Sequence, residues 1–261
     1  MRTVLRPLLT AAGLLALWEL AVRASGVPPY ILPPPSRVLA TLWQAGPLLA
    51  EHGLITLIEI LLGMAIGAVL GAAAALSLAL LPPLRRWLEP VLVASQAIPV
   101  FALAPLLVLW LGYGIGSKVA MAVLIIFFPV ATAFFDGLRR TDPGWLELAR
   151  VMDAKPLRVL FEIRVPAALP ALGSGLRVAA AVAPIGAVIG EWVGASRGLG
   201  YLMLHANARL RVDLVFAALS VLALLALALF RLTDRLVARL VYWQRETLPG
   251  SVHDPEGRSL A

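Results

Sequence analysis

Six apolar segments, each long enough to cross a bilayer, limit how this chain can fold more than any other feature of its sequence. A spanning helix needs about 20 such residues, because inside hydrocarbon the backbone polar groups must be satisfied within the segment. Hydrophobic residues make up 61% of the chain and charged residues 14%, against about 45–50% and about 25% in soluble domains. The sequence therefore predicts an all-α, polytopic membrane bundle with six transmembrane helices. The predicted spans lie near Val4–Val22, Ile55–Leu81, Val91–Leu111, Val119–Phe135, Ala168–Val193 and Leu214–Leu232.

The distribution of positive charge predicts how these spans are oriented. If both termini are cytoplasmic, fifteen lysines and arginines fall in inner segments and six in outer segments. Cytoplasmic loops carry an excess of these residues, so we expect both termini inside. Arg2 and Arg6 before the first span would also suit a cleaved signal peptide. Trp18 and Glu19 within that span favour a retained helix instead.

A proline-rich segment follows the first span, and five of its residues from Pro28 to Pro35 are prolines. Each proline fixes its own backbone angle and lacks an N–H donor. Such a segment suits an extended backbone better than a regular helix. The sequence therefore predicts an extended crossover on the outer side of the membrane.

The loop between the fourth and fifth spans is polar and charge-dense, and it carries a motif. Its spacing resembles the cytoplasmic loop of bacterial ABC importer permeases that is written E-A-A-x3-G-x9-I-x-L-P. The matching residues are Glu147, Ala149, Ile163 and Pro166, and the departures are Leu148, Asp153 and Val165. Asp153 stands where the motif has glycine, and aspartate tolerates a left-handed backbone better than most residues. The turn at this position is therefore expected to survive.

Short stretches elsewhere extend the resemblance over nearly the whole chain. They include Ile98-Pro99, residues 109–118, Phe128-Pro129, residues 166–170 and residues 198–202. Together they resemble the permeases of the nitrate/sulfonate/taurine ABC importer family. Residues 135–140 and 185–195 most resemble the hydroxymethylpyrimidine (thiamine precursor) permeases within that family.

The resemblance implies a MetI-like fold and an ATP-driven importer subunit in the bacterial inner membrane. It implies a homodimer, a cytoplasmic ABC ATPase partner and a periplasmic or lipid-anchored solute-binding protein. The solute would be small and polar, either a pyrimidine thiamine precursor or a sulfonate-, taurine- or nitrate-like anion. The chain is predicted to have three parts. Residues 1–53 contain the first helix and the crossover, residues 54–240 form a permease core with its coupling loop near 138–167, and residues 241–261 form a cytoplasmic polar tail.

The resemblance also assigns residues to ATPase coupling: Glu147, Ala149, Met152, Asp153, Ile163 and Pro166. Apolar residues recur here at three- and four-residue spacing, namely Trp145, Leu146, Leu148, Ala149 and Met152. This pattern predicts a short amphipathic helix from Gly144 to Lys155 that docks in a groove of the ATPase. A helix lying on the inner membrane face would show the same stripe. The mixed charges of the segment favour docking, because an anionic membrane favours a purely basic face.

Polar residues and prolines inside the spans are candidates for the translocation path. Gln96 and Pro99 lie in the third span, where a broken helix is expected. Glu191 and Gly190 lie near the outer end of the fifth span, and buried charges there usually face the interior or a cavity. An interhelical hydrogen bond explains Gln96 or Glu191 equally well, and helix packing explains the glycines. Glu59, one turn into the second span, is expected at the membrane interface.

The sequence also argues against several classes of function. The chain has no cysteine. Gly112–Lys118 is rich in glycine but lacks the residue order of a phosphate-binding loop, and it is predicted to be a tight turn instead. His52, His205 and His253 lack metal-ligand spacing, and no basic cluster suits nucleic acid. We therefore expect no catalytic residue, metal or cofactor in this chain, with ATP and Mg²⁺ in the partner. An ion-coupled secondary transporter is the alternative.

Overall fold

The computed structural model describes residues 2–81, 83, 86, 87, 90 and 99–243. Within these residues every regular element is a helix. The helices are α1 (Arg2–Ser25), α2 (Pro35–Gln44), α3 (Gly46–Leu80), α4 (Val100–Leu111), α5 (Ile115–Arg139), α6 (Pro143–Val151), α7 (Pro156–Gly194), α8 (Leu199–Ala208) and α9 (Val212–Leu240). Helix α7 includes a π-helical segment, Val159–Arg164.

Four of the described helices are long and apolar enough to cross a membrane: α3, α5, α7 and α9. Helix α4 is a shorter apolar helix, and residues 91–98 of the predicted third span lie outside the described residues. The all-α membrane fold is confirmed, whereas the count of six spans is not. Helix α3 begins at Gly46, nine positions before the predicted span, so the predicted boundary at residue 53 falls within a helix.

Helices α3, α5 and α7 form the centre of the bundle because small residues let their backbones approach closely. A Cβ added at Gly63 would lie 2.5 Å from the Cβ of Ala122 on α5, and one at Gly186 would lie 2.8 Å from the Ala122 Cα. Ala122 is completely buried. Gly63, Gly67 and Gly71 of α3 and Gly186 and Gly190 of α7 all pack against α5, as small residues four positions apart allow in membrane helices.

Helices α2, α8 and α9 form a second packed layer. Its apolar core includes Leu199 and Leu202 of α8 and Ala217 and Ala218 of α9. Helix α2 joins this layer through a buried hydrogen bond, in which Thr41 Oγ1 donates to Asp213 Oδ2 at 3.0 Å. The layer lies at the end of the bundle where α3 and α5 begin and α7 ends. We call it the α8 end; the opposite end, with α6, is the α6 end.

Prolines and one glycine mark where helices begin and end. The expected crossover is extended only in part, because α2 begins at Pro35, where a proline suits the first helical turn. Pro99 has an extended backbone and α4 begins at the next residue; residues 91–98 lie outside the described residues, so the break expected in this span stays a prediction. The tight turn expected over Gly112–Lys118 is shorter than predicted: Gly112 has a φ of 77° and α5 already begins at Ile115.

Candidate functional site

Helix α6 lies in the loop that carries the EAA-like motif, and its two ends are fixed by local hydrogen bonds. At its start, Gly144 N donates to the Asp142 side chain at 2.7 Å, and Pro143 occupies the first helical turn. At its end, Asp153 N donates to Arg150 O at 3.0 Å and Ala154 N donates to Ala149 O at 2.9 Å.

These two bonds form a Schellman motif, which requires a left-handed residue at Asp153. The φ of Asp153 is 49°, so the expected left-handed turn is confirmed. The predicted helix from Gly144 to Lys155 is therefore too long. It ends at Val151, because the turn reverses the chain before Pro156 begins α7.

The apolar stripe of α6 divides into a buried part and an exposed part. Ala149 is 4% exposed and holds α6 against the rest of the chain. Trp145, Leu148 and Met152 are 54%, 60% and 73% exposed. Glu147 is exposed as well. These three large apolar side chains, two on α6 and one at its C-cap, are not covered by the described part of the chain.

An apolar groove of about 490 Å³ runs between α6 and the start of α7. It contains four of the six predicted coupling residues: Ala149, Met152, Ile163 and Pro166. Asp153 lines a neighbouring cavity with Lys155 and Arg158, and Glu147 borders neither. The sequence motif therefore corresponds to one continuous surface at the α6 end. Its role in ATPase coupling stays a prediction.

A second constellation surrounds Glu191 at the α8 end. Glu191 is 1% exposed, and both of its oxygens accept hydrogen bonds. Thr56 Oγ1 donates to Oε1 at 2.6 Å, and the Gly200 backbone N–H donates to Oε2. Thr56 Oγ1 also accepts from Leu199 N at 2.8 Å. Glu191 and Thr56 together fix the start of α8 against α3.

The turn before α8 is glycine-rich because the Glu191 carboxylate packs directly onto its backbone. A Cβ at Gly198 would overlap the carboxylate carbon of Glu191, and one at Gly200 would lie 2.8 Å from Oε2. Gly198 also has a φ of 120°, which side chains rarely adopt. His52 Nδ1 lies 2.9 Å from Gly198 N, so α3 contacts the turn a second time.

Glu59 lies on α3, on the side that faces α5, and its expected position at the membrane interface stays a prediction. It is completely buried, and the Lys118 Nζ of α5 lies 3.1 Å from its Oε1. The Lys118 side chain is 8% exposed. Charged groups in a bundle interior are costly unless they are paired, which explains why α3 and α5 place opposite charges here.

The other predicted path residues are less closely connected. Gly190 packs against Lys118: a Cβ added at Gly190 would lie 3.0 Å from the Cα of Lys118. Pro99 is exposed just before α4, and Gln96 lies outside the described residues. Arg177 Nε of α7 donates to Asp234 Oδ1 of α9 at 2.6 Å, a pair that the sequence did not suggest. The translocation-path role of Gln96, Pro99, Gly190 and Glu191 stays a prediction.

Sequence reasoning missed Thr56 and Lys118, which complete the surroundings of Glu191. A charge within or beside an apolar span signals a partner, and both Glu59 and Lys118 give that signal. The sequence does not indicate which distant span supplies the partner. Thr56 gave no such signal, because serine and threonine are common in membrane helices, where they often bond to their own backbone.

Most of the chain matches a known family of membrane transport proteins. Residues 37–242 match the model of the binding-protein-dependent transport system inner membrane component family. The chain therefore belongs to that family.

Three relatives and one solved structure illustrate the similarity. A probable ABC transporter permease of Haemophilus influenzae is 52% identical, over 92% of this chain and 98% of its own length. The formylaminopyrimidine transport permease ThiX of Halalkalibacterium halodurans is 39% identical, over 93% and 97%. The riboflavin transport system permease RibX of Chloroflexus aurantiacus is 40% identical, over 88% and 87%. The inward-facing MetNI methionine ABC transporter shares the fold, with a TM-score of 0.65 and 20% identity over 77% of this chain and 98% of that chain.

These comparisons confirm the resemblance seen in the motif. The chain is the multi-pass membrane permease of an ABC importer, a transport component rather than an enzyme. The alternative of an ion-coupled secondary transporter is wrong. The family name also implies that the permease works with a solute-binding protein and an ATPase.

Proposed function

We propose that this permease imports a neutral nitrogen heterocycle of the pyrimidine thiamine-precursor class. The observation that carries the proposal is a difference between relatives. The permeases named for formylaminopyrimidine and riboflavin are 39% and 40% identical to this chain. Those named for taurine and aliphatic sulfonates in Escherichia coli are 32% and 31% identical. The first two solutes share a pyrimidine-type ring, which favours a heterocycle over a sulfonate.

The charges buried in the bundle support the same choice. Among the described residues, the buried ionisable groups at the α8 end include Glu59, Glu191 and Lys118. Two carboxylates and one ammonium give this region no excess of positive charge. A sulfonate crossing the membrane is better stabilised by positive groups along its path. A neutral ring with amine and amide groups does not require them.

The working assembly that we propose is a homodimer with both termini cytoplasmic and two ATPase subunits at the α6 end. ATP and Mg²⁺ act in the ATPase, and a solute-binding protein delivers the heterocycle at the α8 end. The exposed apolar face of α6 supports docking, because Leu148 and Met152 stand in the loop that the positive-inside bias places in the cytoplasm. Its mechanical value is that α6 joins α5 to α7, so ATPase movement is passed to both.

The substrate proposal is tested by uptake into cells that carry the complete importer and lack their own routes for these solutes. We expect saturable, ATP-dependent uptake of labelled hydroxymethylpyrimidine or formylaminopyrimidine. An excess of unlabelled taurine should not compete. Uptake of taurine or an alkanesulfonate with no uptake of either pyrimidine would overturn the proposal. A transporter with an inactivated ATPase is the control for leakage.

Riboflavin is the necessary second solute in this experiment. Its permease relative is as similar to this chain as the pyrimidine relative. Uptake of riboflavin alone would keep the heterocycle class and reject the thiamine-precursor assignment. Because the solute-binding protein contributes to selection, ligand-dependent thermal stabilisation of that protein should give the same order of solutes.

A further inference from the structure

The last part of α9 carries three arginines along one side of the helix. Arg231, Arg235 and Arg239 are four positions apart, so neighbouring members lie about 6 Å apart along the axis and share a face. All three are exposed. None of them forms an ion pair with a residue that the structure describes. We call them the α9 arginine row, and it presents three positive charges to the surroundings of the bundle.

The same face of α9 is apolar before the row begins. Leu224 and Leu227 precede Arg231 by seven and four positions, which places them on the same side of the helix. Both leucines are exposed. No charged residue lies between Leu214 and Phe230, so this side of α9 faces the acyl chains of the membrane. At Arg231 the face changes from apolar to positively charged.

The length of α9 places this change at the lipid headgroups. The helix has 29 residues, which makes it about 43 Å long at about 1.5 Å per residue. The hydrocarbon core of a bilayer is about 30 Å thick. The uncharged run fills most of that thickness, so the arginine row extends into the layer that holds the lipid phosphates. Exposed Tyr242 and Trp243 follow the row, and aromatic residues are enriched in the same layer.

Asp234 is the acidic residue between Arg231 and Arg239, and it is already paired. Its Oδ1 accepts a hydrogen bond from Arg177 Nε of α7 at 2.6 Å. These two charges neutralise each other, and the pair joins α9 to α7. The row therefore has no negative partner among the described residues, although it stands on a helix that is held in place. Its charge is complementary to an anion from outside the subunit.

An apolar strip lies beside the row. Leu232, Leu236 and Leu240 each follow an arginine of the row by one position, which rotates them by about 100° around the helix. Each of these leucines is at least 50% exposed. The end of α9 thus offers guanidinium groups and a hydrocarbon surface side by side. A lipid with an anionic phosphate and acyl chains matches both, whereas a soluble anion matches only the row.

The groove proposed for the ATPase ends near the row, because Trp243 lines it four positions after Arg239. The three arginines themselves do not line that groove. They continue the lipid-facing side of Leu224 and Leu227 instead. The geometry therefore favours a lipid over the ATPase as the partner of the row.

We propose that the α9 arginine row binds the phosphate of an anionic phospholipid, while the leucine strip contacts its acyl chains. Guanidinium groups donate charge-assisted hydrogen bonds to phosphate oxygens, which suits arginine to this role. Basic residues at the end of a membrane helix also attract anionic lipids electrostatically. The bound lipid holds the end of α9 at the headgroup layer and is separate from the ATPase groove.

The permease–ATPase complex in detergent allows a direct test with phosphatidylglycerol as the anionic lipid. Phosphatidylglycerol or zwitterionic phosphatidylcholine is added at the same concentrations and at an ionic strength of about 0.15 M. The readout is the fraction of tagged permease that stays soluble after heating. Phosphatidylglycerol should raise the melting temperature above the value in phosphatidylcholine, because a ligand of the folded state stabilises it. Equal melting temperatures in the two lipids would overturn the proposal.

Replacement of the whole row by glutamine removes three charges and keeps much of each side chain. With Arg231→Gln, Arg235→Gln and Arg239→Gln together, the phosphatidylglycerol concentration that gives half of the stabilisation should rise about tenfold or more. In phosphatidylcholine the variant should melt like the unaltered chain. Arg235→Gln alone should raise the half-effective concentration about threefold. If the triple variant does not fold, an unchanged concentration in this single variant contradicts the proposal.

The matched control removes three exposed arginines at the α8 end: Arg37, Arg197 and Arg209. Their replacement by glutamine changes the net charge by the same amount. The half-effective concentration of phosphatidylglycerol should then change by no more than about twofold, because basic residues act on lipid only near their own position. A rise equal to that of the row variant would mean that net charge alone attracts the lipid, and the row would not be a site.

Two further results would overturn the proposal. One is stabilisation by inorganic phosphate at the same concentrations that equals the effect of phosphatidylglycerol, since the row would then bind a free anion. The other is a triple row variant that keeps the full response to phosphatidylglycerol but no longer recovers the ATPase. That result would assign the row to the ATPase interface.

Discussion

The two ends of the bundle differ in which side chains they bury and which they expose. At the α8 end, polar and charged side chains are buried and find their partners within the chain: Glu191 with Thr56 and Gly200, and Lys118 with Glu59. At the α6 end, large apolar side chains such as Leu148 and Met152 remain exposed. Polar groups inside a membrane protein must be satisfied locally, whereas an exposed apolar face in a loop marks a place for a partner.

This difference predicts two kinds of mutational effect. Substitutions at the α8 end should change the stability of the permease itself. Substitutions on the exposed face of α6 should leave the permease folded and change only what it binds. The comparison fails if either end shows the effect expected of the other.

Gly198→Ala should give the largest effect. The new Cβ would overlap the Glu191 carboxylate and would sit on a residue with a φ of 120°. Backbone strain and overpacking together cost about 3 kcal/mol or more, so folded permease should be lost or melt much earlier. The measurement is thermal unfolding of the detergent-purified protein. Gly116→Ala is the control, because an added Cβ there meets nothing within 4 Å.

Leu148→Asp combined with Met152→Asp should give the next largest effect. Both side chains are exposed, at 60% and 73%, so the permease should melt as before. Recovery of the ATPase with the tagged permease should fall by about tenfold or more, because central apolar contacts dominate such interfaces.

The matched control for this docking surface is Val151→Asp on the same helix. Val151 is 86% exposed but does not line the groove, whereas Leu148 and Met152 do. It should retain the ATPase. Equal loss in both proteins would mean that added negative charge, rather than the groove, weakens the complex. Full retention in the double variant would remove this face from the interface.

Thr56→Val should have a moderate effect at the α8 end. Valine has nearly the same shape but removes the donor to Glu191 and the acceptor for Leu199 N. Leaving these buried groups unpaired costs about 1–3 kcal/mol, measured as a lower melting temperature. Thr132→Val is the control, since Thr132 donates to Phe128 O of its own helix at 2.7 Å. Equal losses in the two variants would show that the Glu191 network adds nothing special.

The long apolar segments of the sequence predicted most of the fold, and one motif predicted the α6 surface. Both patterns are local, because a membrane span or an amphipathic helix is formed by residues that are neighbours in the sequence. The surroundings of Glu191 were not predictable in the same way. Thr56 and Glu191 are 135 positions apart, and their contact depends on how α3, α5 and α7 pack. Helix ends were misjudged for a related reason, because α3 and α9 continue past their apolar parts into polar residues.

Substitution of Asp153 at the end of α6 should give the smallest effect. Its φ of 49° is left-handed, and glycine would relieve about 1 kcal/mol of strain there. Glycine also gives the unfolded chain more freedom, which costs about 0.4–1 kcal/mol. These terms nearly cancel, so Asp153→Gly should change stability by no more than about 0.5 kcal/mol.

Asp153→Ala tests whether the turn depends on a residue that tolerates a left-handed backbone. Alanine keeps the strain and lacks the tolerance of aspartate for a left-handed backbone, so it should lose about 1 kcal/mol. The expected order of melting temperatures is therefore aspartate close to glycine, with alanine below both. ATPase recovery should follow the same order, because the turn sets where Met152 faces the groove. If alanine matches aspartate in both measurements, α6 does not depend on a left-handed turn, and the replacement of the motif glycine is without consequence for coupling.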